Sequence, residues 1–583
     1  MSAAPARAYH VKPPDPVLTA VGKQKSLLFA AAGFSAGMSI LALTSSFYML
    51  EVYDRVLSSR SIETLILLTA IALVAYGVFG ALDSLRLRIL VRVGMRVAES
   101  LSAQVLRAMV ASTSQNGGQA IRSGLKDVDT VRNFIGSPAL SALFDAPFIL
   151  IYMAVLLALG PIFVLVVIVG GAIIVSLALL NQRTTNPTLT RAIQLQMRAH
   201  EFADDGLRNA DVLEGMGMSS AFVARWRAKW LEALAISSAA SDTDSRLTSL
   251  SRAVRLLIQS LLLGTGAVLI LEFKATGGIM IAASIIGARA LAPIESIVAT
   301  WKNVIAVRLA RERLVNLLER APRRDETMAL PAPEGRVQAV ALSYMLPATR
   351  RTILSNVSFD LHPGESLGII GPSAAGKSTL LRLLIGAWPA SGGAVRLDGA
   401  DVYAWPRVEL SRYIGFLPQD VELFAGSVRD NIARMSDNDP SDVVRAAQRA
   451  GAHEIILALP NGYDTEIGDY GHNLSAGQRQ RIGLARALYG EPRFVVLDEP
   501  NSNLDAPGEQ ALHAAIAGLK ADKVTVAIVA HRPSVLRGVD KMLVLRANGT
   551  VDDFGPSGEV IARLNKRAGV PSNVVTLTPG TPQ

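Results

Sequence analysis

The chain has 583 residues, half of them apolar and 18% charged, with no cysteine and a formal charge of +9. That length exceeds what one hydrophobic core serves, and an apolar excess with few charges points to a membrane protein rather than a soluble enzyme. The missing cysteines exclude disulfides, thiolate metal sites and a thiol nucleophile. The arginines cluster beside apolar runs, so the positive-inside bias accounts for the charge without a nucleic-acid partner.

Residues 1–24 are rich in Pro and Ala and read as a disordered N-terminal segment. Six apolar runs follow: Leu27–Leu50, Thr64–Leu82, Ala139–Leu159, Ile162–Leu180, Ala253–Leu271 and Gly278–Val298. About 20 residues at 1.5 Å each cross ~30 Å of hydrocarbon. The first run is longer than a signal-peptide core and lacks a cleavage site, so it is expected to be a retained span. Between the second and third runs lie Arg86, Arg88, Arg92 and Arg96, and between the fourth and fifth lie Arg183, Arg191, Arg198 and Lys229. Both connections keep a helical period and are expected to be helices continuing out of the membrane on the cytoplasmic side, where both termini also lie. The reading is a transmembrane domain over 25–320, closed by an amphipathic helix over Arg308–Arg320. A Pro-broken linker over 321–335, a soluble α/β domain over 336–564 and a flexible tail over 565–583 complete it.

The α/β domain carries Gly371-Pro372-Ser373-Ala374-Ala375-Gly376-Lys377-Ser378-Thr379, a G-x-x-x-x-G-K-[ST] phosphate loop between an apolar strand pattern and a helical one. Its glycines let backbone N–H groups turn toward phosphate oxygens, Lys377 reaches the β/γ-phosphates, and Ser378 is placed to hold Mg²⁺. Downstream, Phe494-Val495-Val496-Leu497 leads to Asp498 and Glu499. A strand ending in two acids in the same domain as a phosphate loop suits metal binding by Asp498 and activation of water by Glu499.

Leu474-Ser475-Ala476-Gly477-Gln478 resembles the signature sequence of ATP-binding cassette (ABC) proteins, with Ala476 where that motif usually has Gly. The resemblance implies a second phosphate-binding helix start, formed by Ser475, Ala476, Gly477 and Gln478. It also implies that Gln419 joins Mg²⁺ and water, that Asp505 belongs to the D-loop, and that His531 senses the γ-phosphate. The aromatic residue that stacks on adenine in the family aligns with Leu346, two residues past Tyr344. ATP and Mg²⁺ are the implied ligands, and the fold is a six-helix exporter-type membrane domain followed by a P-loop ATPase domain.

Within the membrane half, Tyr48-Met49-Leu50-Glu51-Val52-Tyr53-Asp54-Arg55-Val56-Leu57, Phe144-Asp145-Ala146-Pro147-Phe148 and Ala288-Arg289-Ala290-Leu291-Ala292-Pro293 are similar to stretches of type I secretion permease/ATPases, most of all the protease-secretion (PrtD-like) branch. The resemblance implies a homodimer in the bacterial inner membrane. A periplasmic adaptor and an outer-membrane channel would complete the conduit, and the substrate would be an unfolded polypeptide with a C-terminal signal, often with calcium-binding repeats. The short segment before the first span and the lack of cysteine lead to the expectation that no leader is cleaved by this chain. Two charges inside spans, Asp145 and Arg289, call for a partner or a wet cavity. An exporter of lipid or drug would share every cassette residue but not the membrane stretches. A non-transporting ABC regulator or channel, with ATP as ligand rather than fuel, would have less use for Glu499.

Overall fold

Apolar runs of this length become helices because only a helix satisfies its own backbone hydrogen bonds inside hydrocarbon. The computed structural model describes residues 15–115, 123–321, 330–347, 349–436, 439–468, 471, 473–530, 533–536 and 538–567. The chain divides into two compact units, the first made of Met1–Val110 and Ile121–Ala321 and the second of Ala111–Ala120 and Pro322–Gln583. Among the described residues of the first unit, 6 helical segments are long and apolar enough to cross a membrane: Lys25–Ser59, Ile62–Thr113, Pro138–Leu159, Pro161–Leu207, Ser219–Leu271 and Gly277–Ala299. The expected continuation of the spans is present. Pro161–Leu207 alone has 47 residues and Ser219–Leu271 has 53, each far beyond bilayer thickness.

The first span is not one helix. It runs as Lys25–Leu41 and Thr44–Glu51, then widens to a π-helical turn over Val52–Val56. That turn belongs to the Tyr48–Leu57 stretch, and it carries Asp54 to the start of the sixth span. There Asp54 accepts from the Thr276 hydroxyl at 2.5 Å and from the Gly278 N–H at 2.9 Å. Asp54 thus caps a helix 222 residues away in sequence, and its charge suits the positive end of the helix dipole. A Cβ on Gly278 would stand 2.7 Å from the Asp54 carboxylate, so glycine is what lets it approach. Gly170 and Gly287 do the same between spans, against Ile258 and Leu262. The spans pack around Leu156, Phe163, Ile174, Leu262, Ile286 and Leu291.

A second cluster lies in the helical extensions, where Val93, Val97, Leu101, Val131 and Leu314 pack together. The amphipathic helix expected from Arg308 starts earlier, at Trp301, and ends at Arg320. Its Arg313 grips the buried Asp127 of helix Gly124–Ile135. The expected disorder over 1–24 is corrected for 15–24. Asp15 caps helix Pro16–Gly22 by accepting from Val17 and Leu18 N–H, Val17 and Ala20 are buried, and Arg311 pairs with Asp15 at 2.6 Å. Residues 1–14, the linker over 322–329 and the tail from 568 lie outside the described residues. The tail begins later than expected, because helix Ser557–Arg567 carries the fold past 565.

The second unit has strands β1 (Val337–Met345), β2 (Thr352–Leu361), β3 (Ser366–Ile370), β4 (Gly392–Leu397), β5 (Ala400–Asp401) and β6 (Ile414–Leu417), then β7 (Gly426–Ser427), β8 (Glu466–Ile467), β9 (Phe494–Asp498), β10 (Thr525–Val529), β11 (Lys541–Leu545) and β12 (Val551–Pro556). They form an antiparallel sheet β2-β1-β4-β5, a six-stranded sheet β12-β11-β3-β10-β9-β6 and a small ribbon β7-β8. In the six-stranded sheet every neighbouring pair is parallel except β11 with β12. Every residue of β9 and β10 is buried, as expected of parallel strands covered on both faces.

Candidate nucleotide site at the carboxyl ends of the parallel strands

Strand register gathers the predicted residues. Val529 of β10 is level with Ile369 of β3 on one side and Asp498 of β9 on the other, and Leu417 of β6 is level with Leu497. The phosphate loop after β3, the two acids at the end of β9 and Gln419 just past β6 therefore emerge along one sheet edge. Open α/β sheets bind ligands at such an edge. His531 follows β10 by two residues and lies outside the described residues, as does Arg532.

The phosphate loop turns through two left-handed residues, Ala374 (φ 64°) and Gly376 (φ 90°), before helix Lys377–Leu384. A Cβ at Gly371 would sit 2.7 Å from the Leu545 carbonyl, and one at Gly376 would meet Leu354 at 2.9 Å. Pro372, Ser373 and Ala375 complete the turn, and Ser378 and Thr379 open the helix. Lys377 is buried and its Nζ donates to the carbonyls of Gly371 (2.8 Å) and Pro372 (3.0 Å), closing the loop on itself. Burial holds its ammonium below the usual lysine range, while Glu499 and Asp498 pull it back up.

Asp498 is buried, and burial raises its carboxyl above the usual range against a hydrogen bond from Ser378 and the charges of Arg382 and Lys377. One of its oxygens, Oδ1, has no hydrogen-bond partner among the described residues. A buried acceptor left open beside a serine hydroxyl suits a hard cation with oxygen ligands. Among the described residues no group of three or more His, Cys, Asp or Glu could hold a metal by itself. That fits Mg²⁺, which takes few protein ligands and shares substrate phosphates. Glu499 adopts φ 48°, a conformation costly for a non-glycine residue, and its N–H donates to the Val529 carbonyl at 2.9 Å. Gln419 is exposed.

Ser475 stands at the N-cap of helix Ala476–Leu488 in a reciprocal capping box: its hydroxyl accepts from the Gln478 N–H at 3.2 Å, and its N–H donates to Gln478 Oε1 at 2.8 Å. Ala476 is exposed and Gly477 faces the Asn503 carbonyl. Among the described residues no hydrogen bond joins this helix start to the phosphate loop. The Oδ1 of Asp505 is engaged in capping Ala506–Ala521 through the Gly508 N–H (2.9 Å) and in pairing with Arg481 at 2.7 Å. Those two bonds hold its carboxyl below the usual range.

Sequence reasoning passed over Gln480 and Arg481, which tie the signature helix to the segment after Glu499. Gln480 is buried and donates to the Pro500 carbonyl at 3.0 Å. The only signal for them was their place one turn into that helix. Tyr344 is not available as a platform for a base: it is buried and stacked on Trp388 at 5.1 Å, while Leu346 is half-buried.

Two family profiles match, one described as ABC transporter over residues 354–502 and one as ABC transporter transmembrane region over 28–287. The type I secretion system ATP-binding protein PrsD of Rhizobium meliloti (strain 1021) is 44% identical over 536 residues, covering 91% of each chain. The chain belongs to the type I secretion ABC transporters. The cyclolysin secretion/processing ATP-binding protein CyaB of Bordetella pertussis is 29% identical over 94% of this transporter and 77% of its own length. A bacterial Atm1-family ABC exporter solved with ATP bound superposes with a TM-score of 0.81 at 22% identity, covering 94% of the transporter and 97% of that chain. The exporter fold expected from the sequence is therefore present. The transporter is a multi-pass membrane protein with an ATP-binding ATPase domain.

Proposed function

We propose that this transporter uses ATP hydrolysis to export an unfolded polypeptide across the bacterial inner membrane. Two observations support the reading: the convergence of phosphate loop, Asp498, Glu499 and Gln419 at one sheet edge, and the near full-length likeness to PrsD. Gly371–Thr379 would cradle the phosphates, and Lys377 would exchange its bonds to Gly371 and Pro372 for phosphate oxygens. Ser378 and Asp498, with Gln419, would hold Mg²⁺, which neutralises developing charge on the phosphates. Glu499 would orient and activate water, and His531 would complete the site beside the γ-phosphate. Among the described residues Ser475 bonds only with Gln478 through its hydroxyl and N–H and not with the phosphate loop, so the second phosphate-binding helix start would come from a partner copy in a head-to-tail homodimer. Both termini and the ATPase domain would be cytoplasmic, and a periplasmic adaptor and an outer-membrane channel would carry the substrate onward. A chain without cysteine supplies no thiol for cutting a leader, so the export signal is assigned to the substrate's uncleaved C-terminus. Deleting the gene should remove a small set of proteins from the culture medium and leave lipid and drug efflux unchanged. An unchanged set of secreted proteins would refute the reading.

A further inference from the structure

The strand that leads to Gln419 and the helix that Ser475 caps are tied together by one guanidinium. Arg434 follows the short helix Val428–Ile432. Its Nε donates to the Arg486 carbonyl at 3.0 Å and its Nη2 to the Ala487 carbonyl at 3.1 Å, both in the last turn of the signature helix. Its Nη1 donates to the carbonyls of Ser411 and, at 3.2 Å, Ile414, at the entrance to β6. The last carbonyls of a helix have no partner within it, and a cation suits that end. Among the described residues no carboxylate pairs with Arg434. Burial first, and then the charge of Arg486, push its guanidinium down to about 10, so it stays charged at neutral pH. The approach of strand and helix is close: a Cβ on Gly415 would stand 2.1 Å from the Ala487 carbonyl, and one on Gly483 would stand 2.6 Å from Val421. Beyond Gln419, Arg486 donates to the Glu422 carbonyl at 3.2 Å and lies over the Phe424 ring. The far end of the signature helix therefore grips the chain both before and after Gln419. The backbone is strained where Arg434 stands. Arg434 (φ 56°) and Met435 (φ 57°) are both left-handed, at a helix end where glycine is the usual residue. Such strain persists only where the surroundings enforce it, and it gathers at working sites.

We propose that Arg434 is a positioning residue for ATP hydrolysis: it fixes Gln419, which serves the Mg²⁺ of its own site, relative to Ser475, which serves the phosphate of the partner's site. The inference rests on the proposed roles of Gln419 and Ser475 in a homodimer and adds the link between them. At 1.5 Å per residue Ser475 stands about 17 Å along the helix from Arg486, so a clamp on one end sets the other. Arginine is suited to the task because its planar fork of five donors reaches four carbonyls at once, whereas the three donors of lysine sit at one point. Without the clamp each phosphate loop still holds ATP, but Gln419 and the signature helix no longer arrive together.

The test uses full-length transporter in nanodiscs and two readouts, one of them independent of activity. The chain has no cysteine, so spin labels at Asp420→Cys and Asn473→Cys, both exposed positions, mark the two elements alone. With labelled chains diluted in unlabelled ones and no metal present, electron paramagnetic resonance should give a narrow distance distribution that broadens in Arg434→Met and narrows again in part in Arg434→Lys. For hydrolysis, Arg434→Met should bind ATP in EDTA as wild type does and lose about tenfold in kcat, an ordinary coupling within one hydrogen-bond network. In a Gln419→Ala background the same substitution should cost less than about twofold more, because its effect passes through Gln419. An unchanged distance distribution would overturn the assignment. So would losses that multiply in the double variant, an Arg434→Met protein that hydrolyses like wild type, or one that no longer binds ATP in EDTA, which would make Arg434 a residue of the fold alone. If Gln419→Ala by itself leaves hydrolysis unchanged, the proposed role of Gln419 falls and this inference falls with it. If Gln419→Ala is impaired and the losses multiply, that role stands and only the link is lost.

Discussion

The Asp127–Arg313 pair sets up a measurable asymmetry. Arg313 donates from Nε and Nη2 to Asp127 at 2.9 and 2.5 Å, with the carboxylate side chain 5% exposed and the arginine side chain 35% exposed. Burial pushes the Asp127 carboxyl above its usual range, although the Arg313 hydrogen bond and charge pull it down. A folded-state pKa above the unfolded one means that ionised Asp127 costs stability at neutral pH, and that the cost is recovered as pH falls through the folded value. Arg313→Met strands a buried carboxylate. Loss of one partner from a buried pair costs about 3–5 kcal/mol, and water entering beside a third-exposed side chain argues for about 3. Asp127→Leu frees a guanidinium that can turn to solvent, at about 1 kcal/mol. The double substitution should fall within ~1 kcal/mol of wild type, because two apolar groups replace the pair. Denaturant unfolding of the four purified proteins closes the cycle. The Arg313→Met deficit should shrink as pH falls and Asp127, its carboxyl already pushed up by burial, takes up a proton. Equal single-mutant costs, an additive double mutant, or a deficit that grows toward acid would refute the reasoning.

Three further outcomes are expected. Glu499→Gln should keep ATP binding and lose roughly 10²–10⁴-fold in turnover, as phosphate release will show; a near wild-type rate would remove Glu499 from the chemistry. Dimers mixing Lys377→Ala with Ser475→Arg should retain one working site, whereas either homodimer should hydrolyse little; full activity of either homodimer would exclude a shared site. Asp54→Ala should lower the melting temperature by the equivalent of about 1 kcal/mol for a lost cap, with Asp54→Asn milder and Gly278→Ala producing a similar loss from the other side. A Gly278→Ala protein as stable as wild type would show that the close approach of Asp54 is not needed.

The phosphate loop, the acids after β9 and the six spans were legible because each is written in contiguous residues: a turn between two periodic runs, a strand end, an apolar stretch of bilayer length. What depends on distant partners was not. Asp54 belongs to a stretch that resemblance alone singled out, and its role became visible only when the chain brought Gly278 and Thr276 to it. Arg86 reads in sequence as one more cation in a basic connection, yet it is the buried centre of a knot with Asp83, Asp145 and Ser35. The break at Ala42–Leu43 falls inside the continuous apolar run Leu27–Leu50, so the run itself does not announce it. Asp505, placed at the nucleotide by resemblance, has its Oδ1 bound to Gly508 and Arg481. The helix after Asp15 is only seven residues long, and Val17, Ala20 and Val21 with the pairing of Asp15 and Arg311 hold it down.

The most direct test of the account is ATP-driven movement of a polypeptide by this chain. Transporter reconstituted with its ATPase domain facing outward should draw a labelled, unfolded secreted protein into sealed vesicles, where it resists added protease, in the presence of ATP and Mg²⁺. Vesicles carrying Glu499→Gln should protect none. Hydrolysis of ATP by wild type with no protected polypeptide, or equal protection in the Glu499→Gln vesicles, would contradict the account.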